Sequence, residues 1–216
     1  MERIWLKNYP PGVPHDIDTT QYKSLTDLLE RALREHGNSP FSVCMNRWMS
    51  YKQLDELSTA LGAWLQSKGL EPGSRVAIML PNLPQFAVTM AAILRAGYTC
   101  VNVNPLYTAR ELEHQLKDSG ATAIVILENF AATLQDVIER TAVQHVVLAS
   151  IGDLLGPING RWLSFAVRHL AKMVPPFELP LNGGRTVTPF NKAIAQGRGM
   201  NLRPTAQSMD DIAFLQ

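Results

Sequence analysis

The chain has 216 residues, 46% of them hydrophobic and 18% charged, a make-up that fits a folded globular protein and excludes a disordered one. Lys and Arg number 20 against 19 Asp and Glu, a formal net charge of +1, so no overall field draws nucleic acid or another polyanion. The length is enough to bury a sizeable core.

The opening MERIWLKNYPPGVP is not a secretory signal, because Lys7, Asn8 and Pro10 interrupt any apolar run. Leu25, Leu28, Leu29, Ala32 and Leu33 then form one helical stripe, with Ser24 placed as N-cap and His36-Gly37 as the stop. FSVCMNRWMSY reads as a hairpin turning at Asn46-Arg47. Ser50 and Gln53 make a capping box, followed by the stripe Leu54, Leu57, Leu61, Trp64 and Leu65.

From Arg75 the pattern becomes regular. Strand-like runs begin near Arg75 (RVAIML), Tyr98 (YTCVNVN), Thr122 (TAIVIL) and His145 (HVVLA). Between them lie a helix started by Pro84, a helix capped by Thr108 and Glu111, and a helix with Phe130, Leu134, Val137 and Ile138 on one face. Near-continuous apolar strands alternating with amphipathic helices predict an α/β fold, a mostly parallel, doubly wound sheet with helices on both faces. The uncharged stretch 76–94 is tempting as a membrane span, but Pro81, Asn82, Pro84 and Gln85 at its centre argue for strand, turn and helix. Cys44 and Cys100 sit in strand-like runs, which suits buried thiols of a reduced cytoplasmic protein.

The organisation that follows is an N-terminal arm, helix, hairpin and helix over 1–74, and regular β/α units over 75–150. An irregular segment occupies 151–209 and contains one amphipathic helix. A short helix near Phe190 to Ala195 precedes a last strand over 210–216. PPFELPLNGG reads as loop. In 161–174, RWLSFAVRHLAKMV, a straight helix at about 100° per residue puts Arg161, Arg168 and Lys172 on one line. Trp162 and six apolar residues fill the opposite half. That helix either lies in a membrane interface, with Arg161, Trp162, Arg168 and Lys172 facing the lipid, or packs its apolar face on the domain.

The usual chemical fingerprints are missing. RVAIMLPNLPQF has no glycine for a dinucleotide turn, and no G-x-x-x-x-G-K-[ST] occurs. Glu111-x-x-His114 lacks the second such pair that a di-metal bundle needs, and no G-x-S-x-G elbow is present. The strand-end loops are the informative places. Asn82 follows the first strand of the regular region. Asn104, Pro105, Tyr107, Thr108, Arg110 and Glu111 follow the second, as turn-forming residues that also stand where ligands are lined. Asn104 and Arg110 are expected to organise the turn rather than to touch nucleotide.

RVAIMLPNLPQF, ILRAGYTCVNVNPLYTARELEHQLKDSGATAIVI, the opening WLKNYPPGVPHDID and the closing DDIAFLQ resemble the N-terminal part of bacterial long-chain fatty acid–CoA ligases, members of the adenylate-forming superfamily. The resemblance implies activation of a long-chain fatty acid with ATP and Mg²⁺ to an acyl-adenylate, then transfer to CoA. It also implies that the phosphate loop, the adenine- and Mg²⁺-binding motifs and a mobile lid follow the strand at Ile212 to Gln216. On that expectation the chain holds no catalytic, cofactor-binding or metal-binding residue of the family and by itself neither binds ATP tightly nor forms adenylate. A homodimer, and peripheral contact with the inner face of the cytoplasmic membrane, are compatible with the resemblance. A non-catalytic α/β binding module and an adenylate-forming ligase of other acid specificity are the alternatives.

Overall fold

The computed structural model describes residues 2–156 and 158–216. Helix α1 (Leu25–His36) begins where Ser24 Oγ accepts the Asp27 N–H at 3.1 Å and ends at Gly37. Strands β1 (Pro40–Cys44) and β2 (Arg47–Ser50) form the expected hairpin, with one correction. Cys44 pairs with Arg47, so the turn is Met45-Asn46 rather than Asn46-Arg47. Both turn residues take positive φ, 48° and 60°, as a two-residue loop matched to the twist of its strands requires. Asn46 tolerates that conformation; Met45 is forced into it.

Helix α2 (Tyr51–Gln66) carries both halves of its capping box: Ser50 Oγ accepts the Gln53 N–H, and Gln53 Oε1 accepts the Ser50 N–H at 3.0 Å. There follow β3 (Arg75–Met79), α3 (Pro84–Arg95), β4 (Thr99–Asn102), α4 (Ala109–Ser119), β5 (Ala123–Leu127), α5 (Ala131–Gln135) and β6 (His145–Ala149). The expected four strands thus lie in one sheet and run parallel. Two more join it, β7 (Thr186–Pro189) and β8 (Phe214–Leu215), giving the order β7-β6-β5-β3-β4-β8.

Successive strand residues face opposite ways and build two cores. Val76, Ile78, Ala123 and Val125 pack with Trp64, Leu61, Ala92 and Phe190 from α2, α3 and α7 (Phe190–Gly197). Ala77, Met79, Ile124 and Ile126 pack with Leu112, Leu116 and Leu134 from α4 and α5. The sheet is doubly wound for that reason: both faces of its central strands are apolar and each needs a helical cover. Each aliphatic side chain buried this way contributes about 1.5–3 kcal/mol. Between α1, α2 and α3 lies a polar knot. The buried Arg95 guanidinium donates to Glu30 Oε1 at 2.6 Å and Ser58 Oγ at 2.7 Å, and meets Asp55 Oδ1 at 2.8 Å.

Other expectations are corrected. The third connecting helix is not continuous: α5 is five residues long, with 3-10 turns at Glu128–Phe130 and Ile138–Arg140. Leu134, Val137 and Ile138 are nevertheless all fully buried. After the loop that holds Phe177 and Leu179, the unexpected β7 forms. It is a partly exposed edge strand ending in Pro189; the β-branched Thr186, Val187 and Thr188 suit a strand, but three residues before a proline are too short a run to stand out. The last strand is only Phe214–Leu215, paired with Cys100 and Val101. Cys44 and Cys100 are free thiols. Among the described residues no helix is long and apolar enough to cross a membrane.

The segment 161–174 is not one straight helix. Helix α6 (Asn159–Phe165) passes into a π-turn over Ala166–Leu170, closed by the Ala171 N–H on the Ala166 carbonyl. Lys172 has φ +51°, and Pro175-Pro176 bars any continuation. Lys172 therefore leaves the line expected with Arg161 and Arg168. The apolar side divides: Val167 is buried and Leu163 and Ala166 are half-buried against the domain, whereas Trp162 is 64% exposed and Leu170 65%.

Candidate functional site

In open parallel sheets ligands sit beyond the carboxyl ends of the strands, where neighbouring strands send the chain to opposite faces. Here β3 leads into α3 on one face, while β4 and β5 on either side of it lead into α4 and α5 on the other. The crevice is therefore bordered by the turns after β3, β4 and β5 and by the loop after β6.

The turn after β4 is built from its own polar groups. Asn104 Oδ1 accepts the Leu106 N–H at 3.0 Å, and the Asn104 carbonyl accepts the Tyr107 N–H at 3.1 Å. Thr108 and Glu111 close a capping box, with Glu111 Oε2 accepting both the Thr108 N–H at 2.8 Å and its hydroxyl at 2.7 Å. Those donors hold the Glu111 carboxyl below its usual range. Pro105 and Tyr107 are half-buried, and Tyr107 packs on the α4 side core. Arg110 is exposed on the first turn of α4, and Asn82 is exposed in the turn after β3.

At the ends of β5 and β6 the structure brings together residues to which the sequence gives no prominence. Glu128 is fully buried; one carboxylate oxygen takes the Arg168 guanidinium and the other has no partner among the described residues. Gln85, also fully buried, donates to the Ser150 carbonyl at 2.9 Å and the Asp153 carbonyl at 3.0 Å, and its Oε1 has no partner among the described residues. Asn129 donates to the Met173 carbonyl at 2.9 Å. Asp153 accepts the Ser150 N–H at 2.7 Å and the Asn191 amide at 2.6 Å. Burial pushes its carboxyl up to about 6, against the Ser150 hydrogen bond and with the help of the Glu128 charge. A signal for Glu128 was available, since it directly follows a strand-like run. Gln85, Asp153 and Asn191 come together only in three dimensions.

Of the residues considered for a membrane face, Arg161 and Trp162 lie exposed on α6, and Arg168 is drawn inward to Glu128. His114 is exposed on α4. Among the described residues no cluster of three His, Cys, Asp or Glu could hold a metal ion. The turn after β3 has no glycine, and α3 opens on Pro84, which has no N–H to give.

A sequence model described as "AMP-binding enzyme" matches residues 29–216. The chain belongs to the AMP-binding enzyme family. It is 44% identical over its full length to a protein named long-chain-fatty-acid–CoA ligase from Escherichia coli O157:H7, of which it spans 38%. A protein of the same name from Bacillus subtilis strain 168 is 30% identical over 71% of this chain and 27% of its own. Among solved structures, a long-chain-fatty-acid-CoA ligase from Archaeoglobus fulgidus superimposes with a TM-score of 0.66 at 21% identity, over 95% of this chain and 36% of that one. An anthranilate CoA ligase bound to anthranoyl-AMP gives 0.66 at 20%, over 89% and 32%. These structural likenesses establish the AMP-binding enzyme fold. The chain spans well under half the length of the curated relatives it matches.

Proposed function

We propose that the protein supplies the matched part of a long-chain fatty acid–CoA ligase, which activates a fatty acid with ATP to an acyl-adenylate and transfers the acyl group to CoA, releasing AMP and pyrophosphate. The observation that carries this reading is the 44% identity along the whole chain to relatives of that name. ATP, Mg²⁺ and CoA are the cofactors and co-substrates of the complete enzyme on this reading. Their first contacts belong to the part of the relatives' length that this chain does not span. The two-faced sheet and its capped turns would act here as the rigid support against which such contacts are placed. The turn built by Asn104, Pro105, Tyr107, Thr108 and Glu111, with Arg110 and Asn82 beside it, would hold one wall of the crevice rather than bind nucleotide.

The same reading includes a cytoplasmic enzyme that meets its fatty acid at a membrane surface. The exposed Trp162, Leu170 and Met173 support that contact, with Arg161 and Lys172 nearby as cations for anionic lipid. Self-association through the uncovered apolar surface would accompany it.

The test is a chimera in which this chain replaces the matched stretch of the Escherichia coli O157:H7 relative. With palmitate, CoA and ATP·Mg²⁺ it is expected to yield palmitoyl-CoA, AMP and pyrophosphate, whereas the 216-residue chain alone yields none. A folded chimera that releases no AMP from any long-chain acid would contradict the proposal and favour a non-catalytic module.

A further inference from the structure

A cavity of about 600 Å³ opens between the loop after β6, helix α6 with its π-turn, and the hairpin. It is lined by Arg47, Arg161, Arg168 and His169, with Ser164 and Asn191 among its polar groups. Among the described residues Arg47 and Arg161 make no ion pair, and Arg168 has Glu128 alone. The acidic group on the wall, Asp153, has both oxygens occupied, one by the Ser150 N–H and the other by the Asn191 amide. The lining therefore has guanidinium groups to spare.

The walls are built, not loose. Gln85 anchors the loop through two of its carbonyls, and Ser164 Oγ accepts the Gly152 N–H at 3.2 Å. The π-turn widens the helix where Arg168 and His169 face the cavity, and such insertions recur at functional sites. The His169 ring lies against Phe165 at 4.8 Å between centroids, tilted by 40°, an aromatic wall for the organic part of a ligand.

We propose that this cavity binds the phosphate group of a small organic phosphate monoester, held by Arg47 from β2, Arg161 from α6 and Arg168 from the π-turn. Guanidinium forks from three separate segments match several oxygens of one tetrahedral anion. The volume is that of a small-ligand site. Two sources offer this group: a soluble ester, or the headgroup of phosphatidic acid in a membrane on which the neighbouring Trp162 and Leu170 rest.

The probes are phenyl phosphate in solution and vesicles of phosphatidylcholine with or without phosphatidic acid, offered to the 216-residue protein. The expected result is saturable binding of phenyl phosphate, with amide chemical-shift changes confined to the hairpin around Arg47, the 150–156 loop, 161–169 and the surroundings of Asn191. Arg47→Gln plus Arg161→Gln, both exposed and unpaired, should raise the Kd at least about tenfold with an unchanged circular dichroism spectrum. Binding only to vesicles containing phosphatidic acid, lost in the same variant, identifies the lipid source and equally supports the site. Binding of neither probe, shifts outside this cavity, or equal binding by the variant overturns the proposal. The test involves no acyl-CoA formation, so its outcome is independent of the ligase reading.

Discussion

Gly152 and Gly160 face each other so closely that a Cβ on Gly152 would lie 1.9 Å from the Gly160 carbonyl oxygen, and one on Gly160 would lie 2.1 Å from the Gly152 carbonyl oxygen. Both obstacles are backbone, so no side chain can swing aside. The contact presses the start of α6 against the loop after β6. Gly160→Ala is expected to destabilise the protein by about 1–3 kcal/mol, as overpacking does, or to detach α6. Urea unfolding checks the first outcome and faster amide exchange over 159–170 the second; a variant unchanged in both would show that the contact is dispensable.

The turn after β4 gives a graded prediction. Asn104→Ala removes the acceptor of the Leu106 N–H and should cost about 0.5–1.5 kcal/mol. Asn104→Asp retains an acceptor there and should cost less. Thr108→Ala breaks the N-cap of α4 and should cost about 1 kcal/mol. Denaturant midpoints of the three variants decide whether this turn is held by its own hydrogen bonds.

Arg95 is buried, while Glu30 and Asp55, which neutralise it, are partly exposed. Removing the cation leaves carboxylates that water can reach; removing the carboxylates leaves a guanidinium that water cannot reach. Glu30→Gln plus Asp55→Asn should therefore be more destabilising than Arg95→Met, by on the order of 1–2 kcal/mol. The reverse order of thermal midpoints would mean that the packing of the Arg95 stem outweighs its charge.

Asp153 supplies a pH dependence of fixed sign. Its folded-state carboxyl, raised to about 6, takes up a proton more readily than in the unfolded chain. Its contribution to stability is thus greatest below the unfolded value and is lost as pH rises through the folded one. The stability of the wild type relative to Asp153→Asn should fall between about pH 4 and pH 7 and then level off. A difference that grows with pH over this range would mean that hydrogen bonding to the ionised carboxylate outweighs its burial.

Much of this protein was legible in its residues. Ser24, the pair Ser50 and Gln53, and the pair Thr108 and Glu111 set helix starts through hydrogen bonds that span three residues and need no tertiary partner. The runs VAIM and AIVIL announced strands apolar on both faces, and such strands exist only where helices cover both sides. The β/α periodicity and the parallel sheet follow from that local chemistry. The tertiary structure decided the rest. β7 forms because β6 offers it a free edge, not because its own residues demand a strand. The helix expected over 161–174 is interrupted by a π-turn and ends early, since Arg168 reaches a carboxylate 40 residues away and the chain then turns at Lys172. The cluster of Gln85, Glu128, Asp153 and Asn191 at the strand ends depends on sheet order, which no periodicity encodes. Hydrogen bonds within one turn are written in neighbouring residues, whereas the pairing of buried polar groups across segments is fixed only when the two cores close around the sheet.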